Sequence, residues 1–271
     1  MTTSTTVEPT MSLATLHITG PLATITLNRP DSRNALSPDL LASLHARIDE
    51  LADRCTPKPE RTDSGPHVCI LTGAGRAFCA GMDLKAVLGD SDTARSLLLS
   101  LAEFTYKLRQ LPCVTVAVVN GPAIGGGCGL VAVCDLALTY TDNKMGFPEV
   151  DMGVCPAVVA PWLVRKIGPG RARQVLLTGG LLSGLQAHAL GIVTTCVPTP
   201  ADLPAAAETL TTRLAAGSPQ ALRATKNLLN DLDGSTDWPL LEAAANLSAD
   251  VLNCPESQAM LRSKLEPSAR Q

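Results

Sequence analysis

Three segments of this chain hold residue types from which a site for negative charge can be built. Gly75-Arg76-Ala77-Phe78-Cys79-Ala80-Gly81-Met82-Asp83-Leu84 follows an apolar run that reads as a strand. Asn120-Gly121-Pro122-Ala123-Ile124-Gly125-Gly126-Gly127-Cys128-Gly129-Leu130 follows another. The third is Met145-Gly146-Phe147-Pro148-Glu149-Val150-Asp151-Met152-Gly153. Three consecutive glycines at a strand-to-helix junction free the backbone from side-chain bulk. Their N–H groups can then approach a ligand at a helix N-terminus, where the dipole favours negative charge. The chemistry fits a phosphate or an oxyanion, and a tight turn or close helix–strand packing uses the same glycines. In the third segment Glu149 is the candidate base, and Asp151, two residues on, is a weaker candidate for a second acid.

Better-known patterns fail on spacing. A dinucleotide fingerprint beginning at Gly73-Ala74-Gly75 needs glycine at 78 and finds Phe78. No Gly-Lys-Ser/Thr follows the glycine runs, and neither G-x-S-x-G nor H-E-x-x-H occurs. The four histidines, His17, His45, His67 and His188, lie outside the three segments. Arg33 and Lys85 lie near enough in sequence to meet ligand phosphates, and each also reads as an ordinary solvated charge.

Together with Leu27-Asn28-Arg29-Pro30 and Asn34-Ala35-Leu36, these segments resemble the crotonase family, the enoyl-CoA hydratase/isomerase superfamily. The resemblance runs from about Leu13 to about Leu229, with four motifs in the family's order. It implies an α/β fold, a spiral of ββα turns followed by a helical C-terminal region. It implies a coenzyme A thioester whose carbonyl oxygen sits between the backbone N–H groups of Met82 and Gly126. Substrate contacts are expected at Ala80, Met82, Asp83, Leu84 and Gly126, with the adenine near Ala80 to Leu84. Asp83 itself is expected to cap a turn. Glu149 matches one of the two glutamates of the best-known hydratases, and the other falls at Gly129. The stretch Gly127 to Ala132, with Pro156-Ala157 and Pro161-Trp162, looks like a bacterial branch that includes methylglutaconyl-CoA hydratases. On this resemblance the expected reaction is hydration of a 2-enoyl-CoA, with Glu149 as base on water. The alternatives are a 3-enoyl-CoA to 2-enoyl-CoA isomerase and a non-catalytic acyl-CoA-binding homologue. No metal or separate cofactor is implied, because the thioester acidifies its own α carbon. A homotrimer or dimer of trimers is implied as the assembly. A side chain at Gly126 is expected to push the loop off the thioester oxygen, and a glutamate at 129 to assist hydration or crowd the water.

Positioning these groups requires regular elements on both sides. Leu13 to Leu27 alternates as two short strands around Gly20–Pro21. Ser37-Pro38-Asp39 starts a helix that runs to about Asp53. Cys55 to Pro66 reads as a loop and His67 to Thr72 as a strand. Leu97, Leu98, Leu101, Phe104, Leu108 and Leu111 recur at helical spacing, so a helix spans about Asp92 to Leu111. Val114 to Val119 is apolar but for Thr115, which predicts a strand buried on both faces. A short helix after the glycines, a strand at Leu136 to Tyr140, and helices after Ala157 with one strand at Ile192 to Val197 complete the picture. Residues 1–10 read as a loose tail, 11–200 as the spiral core, and 201–271 as a helical region, the trimerisation region by resemblance.

Composition restricts the partners. The net charge is -3 and aromatics are 3% of residues, with no basic stripe, so nucleic acid is not expected. No run approaches the ~20 apolar residues of a membrane span. Nine cysteines without a C-x-x-C pair read as reduced core residues of a cytoplasmic protein.

Overall fold

Residues 12–56 and 65–265 are described in a computed structural model. The expected tail at 1–10, most of the 55–66 loop and the end of the closing segment lie outside them. Strands β1 (Ala14–Thr19) and β2 (Leu22–Leu27) pair antiparallel, with Ala14 opposite Leu27. Gly20 turns between them at φ 55°, a conformation that suits glycine. Helix α1 (Pro38–Cys55) begins as its sequence predicts, with the Ser37 side chain accepting from the Leu40 N–H. Its buried Leu40, Leu41, Leu44, Ile48 and Leu51 recur at helical spacing.

Strand β3 (Val68–Gly73) leads through the first glycine segment into the single turn α2 (Leu84–Val87). Helix α3 (Ser91–Gln110) follows, capped by Asp90, which accepts from the Thr93 N–H. Strand β4 (Val114–Val118), the two-residue β5 (Ala123–Ile124), α4 (Gly126–Val133) and β6 (Leu136–Tyr140) carry the second segment. After β7 (Lys144–Gly146) comes α5 (Ala160–Thr178), broken at Gly168-Pro169, then β8 (Leu181–Ser183) and α6 (Gly184–Leu190). Strand β9 (Thr195–Val197) precedes α7 (Leu203–Ala215), α8 (Pro219–Leu232), α9 (Trp238–Asn253) and α10 (Pro255–Leu265).

The main sheet has the order β1-β2-β3-β4-β6-β9, parallel except for its first pair. Its larger apolar face packs against α1, α3 and α4. On the other face Val68, Val116, Leu138 and Val197 pack with Leu203 at the start of α7. Strand β4 is thus covered on both sides, as its apolar run requires. The α/β class with a helical C-terminal region therefore holds. Two differences from the sequence reading concern short strands. The expected strand at Ile192 to Val197 contracts to Thr195–Val197, with Ile192 and Val193 buried ahead of it. A second sheet, β5-β7-β8, escapes the sequence reading because two or three residues cannot show a period. That small sheet brings the second segment against the third, with Ala123 opposite Met145 and Ile124 opposite Gly146.

Candidate active site

The backbone at Met82, the first of the two expected donors, is fixed by strand register. Leu36 pairs as a parallel bridge with Met82. The Leu36 N–H donates to the Gly81 carbonyl at 2.8 Å, and the Asp83 N–H donates to the Leu36 carbonyl at 2.9 Å. Backbone groups alternate in direction along an extended segment, so the Met82 N–H points away from Leu36. The Cys79 N–H donates to Pro122 at 3.1 Å and the Ile124 N–H to Cys79 at 3.0 Å. These bonds lay residues 79–82 beside 123–126. The second expected donor, Gly126, is the first residue of α4, whose N–H has no acceptor within its own helix.

Asn34 explains why the Asn34-Ala35-Leu36 signature belongs to this site. It is fully buried with φ 56°. Its amide donates to the carbonyls of Ala74, Ala77 and Phe78, and its oxygen accepts from the Arg29 N–H. One side chain therefore satisfies a loop that would otherwise bury several unpaired carbonyls. The same turn delivers Leu36 to Met82.

Glu149 lines the same chamber, just after the segment that β7 anchors. Its Oε2 is buried and has no hydrogen-bond partner. Burial pushes its carboxyl up to about 7. Gly125 lies against it: a Cβ there would come within 2.9 Å of Oε1, and the residue's φ of 53° is itself costly for other residues. Gly125 thus leaves room for the Glu149 carboxyl.

The chamber has a volume of about 90 Å³. A water needs about 10–15 Å³ by the same kind of measure, so a small acyl group and a water fit together. Ala80, Met82, Leu84, Gly126 and Glu149 all line it. Of the residues expected from the sequence, Asp83 is the exception: its carboxylate pairs with Arg29 at 3.0 Å and makes no side-chain cap to α2. Asp151 is also occupied, accepting from the Gly180 N–H at 2.8 Å. His45, His67 and His188 bond to Ser100, Ala215 and Val193, and His17 to Thr19, all outside the chamber. Arg33 and Lys85 are exposed. All nine cysteines are free thiols and six are buried, so most act as small core residues.

Two expectations change their physical reason. A Cβ on Gly126 would meet the Leu36 and Leu101 methyl ends at 3.1 and 3.2 Å, which are flexible side chains and not backbone. Bulk there would crowd the chamber more than displace the loop. It is Gly127 whose Cβ would drive into a backbone carbonyl, that of Cys79. At Gly129 a Cβ would fall inside contact distance of Val159 Cγ1, so the place of a second acid is filled with packed hydrocarbon. Gly129 does not line the chamber, whereas Val159 does.

Sequence reasoning gave no individual role to Gly125 or Val159 and missed Ser248. Ser248, on α9, donates to the Cys155 carbonyl at 2.8 Å and accepts from the Ala157 N–H at 3.1 Å, strapping the chamber wall to the C-terminal helices. Nothing local marks it, since its partners lie more than ninety residues away.

Residues 17–264 match the enoyl-CoA hydratase/isomerase family model. A Thermus thermophilus protein provisionally named an enoyl-CoA hydratase is 38% identical over 220 residues, covering 79% of this chain and 83% of its own. The 2,3-dehydroadipyl-CoA hydratase of Escherichia coli is 32% identical over 206 residues, 76% of each chain. Among solved structures, an enoyl-CoA hydratase from Mycobacterium avium superposes with a TM-score of 0.81 at 28% identity, covering 94% of this chain and 96% of that one.

Proposed function

The chain belongs to the enoyl-CoA hydratase/isomerase family, the crotonase superfamily, and from that premise we propose that it adds water across the double bond of a 2-enoyl-CoA. The observation that carries this reading is the buried carboxyl of Glu149, its Oε2 without a partner, in one small chamber lined also by Met82 and Gly126. The thioester oxygen lies between the two donors. As water attacks the β carbon, Glu149 takes its proton and negative charge moves onto that oxygen. Each preorganised donor is worth about 3 kcal/mol by the precedent of other oxyanion holes. Glu149 then returns the proton to the α carbon on the same face, so water is added and the carboxylate is regenerated. An acid whose affinity for protons sits near neutrality can do both steps.

One observation favours a second reading, the shift of a 3-enoyl to a 2-enoyl double bond. Val159 occupies the place of a second acid, and one carboxyl suffices to take a proton from one carbon and return it to another. Product analysis on both substrate types separates the two. Hydrated product from 2-enoyl-CoA is expected to dominate, in EDTA as without it, because the thioester itself acidifies the α carbon. Predominant isomerised product from 3-enoyl-CoA would reverse the choice, and loss of turnover in EDTA restored by a divalent ion would refute metal independence. A non-catalytic acyl-CoA-binding homologue is disfavoured by the isolated Glu149, which binding alone does not need.

The assembly we propose is a homotrimer or a dimer of trimers. Leu228, Leu229 and Leu232 leave an apolar edge on α8, Leu232 being 74% exposed, which suits burial against another copy. Light scattering on the eluting protein is expected to give a multiple of three subunits, and a monomer at micromolar concentration would refute it. No helix among the described residues is long and apolar enough to cross a membrane.

A further inference from the structure

We propose that the acyl chamber accepts only uncharged acyl groups and rejects those that end in a carboxylate. The inference rests on the reading of this chamber as an acyl-thioester site, and it names the substrate class within that reading.

Among the described residues, no lysine, arginine or histidine lines the chamber. Its ionisable residues are Glu149 and Cys155, and either one carries negative charge when ionised. Leu98, Leu101, Val158 and Val159 form a wall in which each is 5% exposed or less. A carboxylate entering here would meet hydrocarbon and Glu149.

Hydrogen-bond donors are equally scarce. The Ala80 N–H donates to Arg33, Ile124 to Cys79, Gly125 to Gly146 and Val154 to Glu149. The Ser248 hydroxyl is spent on the Cys155 carbonyl. The N–H groups of Met82 and Gly126 are committed to the thioester oxygen. Lys85, next to Leu84 in the chain, is exposed and does not line the chamber, and Arg29 is already paired with Asp83. A buried carboxylate with neither cation nor donor is strongly disfavoured. The neutral class therefore departs from the methylglutaconyl group that names the resembled branch, because that acyl group ends in a carboxylate.

The test compares two saturated thioesters of nearly the same shape, 4-methylpentanoyl-CoA and succinyl-CoA, which differ in an isopropyl end against a carboxylate. Calorimetric titration of the full chain is expected to give succinyl-CoA a Kd at least on the order of a hundredfold weaker. The paired turnover arm uses 5-methyl-2-hexenoyl-CoA and glutaconyl-CoA, with a similar ratio expected in kcat/KM. Equal binding of the two saturated ligands, or tighter binding of succinyl-CoA, overturns the proposal, and it does so whether or not turnover is seen. If the neutral ligand binds well, succinyl-CoA binds poorly and neither enoyl thioester is hydrated, the hydratase reading fails while the chamber assignment stands. If neither saturated ligand binds at millimolar concentration, both are overturned.

Discussion

Glu149→Gln is expected to lower kcat by about 10²- to 10⁴-fold while leaving the Kd for an unreactive acyl-CoA within a few-fold. Glutamine keeps the size of the side chain and most of its hydrogen-bonding capacity but cannot accept the proton from water. The pH profile supplies a second readout. Burial raises the carboxyl from 4.5 to about 7, so wild-type kcat/KM is expected to rise through about pH 7 as the carboxylate forms. That limb should be missing from any residual activity of the variant. Stability should move the other way. A carboxyl whose proton affinity is raised by folding favours the native state at low pH, and this contribution is lost as pH rises from about 4.5 through 7. Above pH 7 the variant should therefore melt at a higher temperature than the wild type, because it no longer buries a charge. Full activity in Glu149→Gln would remove this residue from the mechanism.

The second large effect is expected at the position where the better-known hydratases carry another glutamate. Gly129→Glu should destabilise the protein and not supply an acid. Its Cβ would overlap Val159 Cγ1, and Val159 Cβ lies only 3.0 Å from the same point. Overpacking of this kind costs about 1–3 kcal/mol, and a carboxylate forced among apolar groups without a partner adds to it. Gly129 is also buried within α4, between Cys128 and Leu130, so the new side chain has no route to water except through the chamber wall. A large fall in the melting midpoint is the expected result. Pairing the change with Val159→Ala, which removes the interfering γ carbons, should recover part of it. The double variant is then the proper protein in which to ask whether a second carboxylate changes the ratio of hydrated to isomerised product. An unaltered midpoint in Gly129→Glu alone would show that Val159 does not close this space.

The long elements were legible because their signals are local. Ser37-Pro38 announces α1 through its cap and first-turn proline, and the leucine stripe of α3 repeats often enough to define a face. The apolar run of β4 announces burial on two sides. Glycines at a strand-to-helix junction announce a place for negative charge, and the order of the motifs around them identifies the family. For the same reason Met82, Gly126 and Glu149 could be named as candidates from the sequence, and the fold brings all three to one chamber.

What required the tertiary structure is everything set by residues distant in the chain. Whether Met82 offers its N–H depends on its register with Leu36, forty-six residues earlier, and that register depends on one buried asparagine. Whether Gly129 is a lost acid or a packing contact depends on Val159, thirty residues later. Asp83 was expected both as a ligand contact and as a turn cap, and its carboxylate in fact pairs with Arg29, while Ser248 had no visible role until α9 lay along the chamber. Local sequence encodes the propensities and the chemical types, because caps, periodicity and glycine freedom act over a few residues. Protonation state, pocket shape and charge selectivity are properties of burial, and burial exists only once distant segments have packed together.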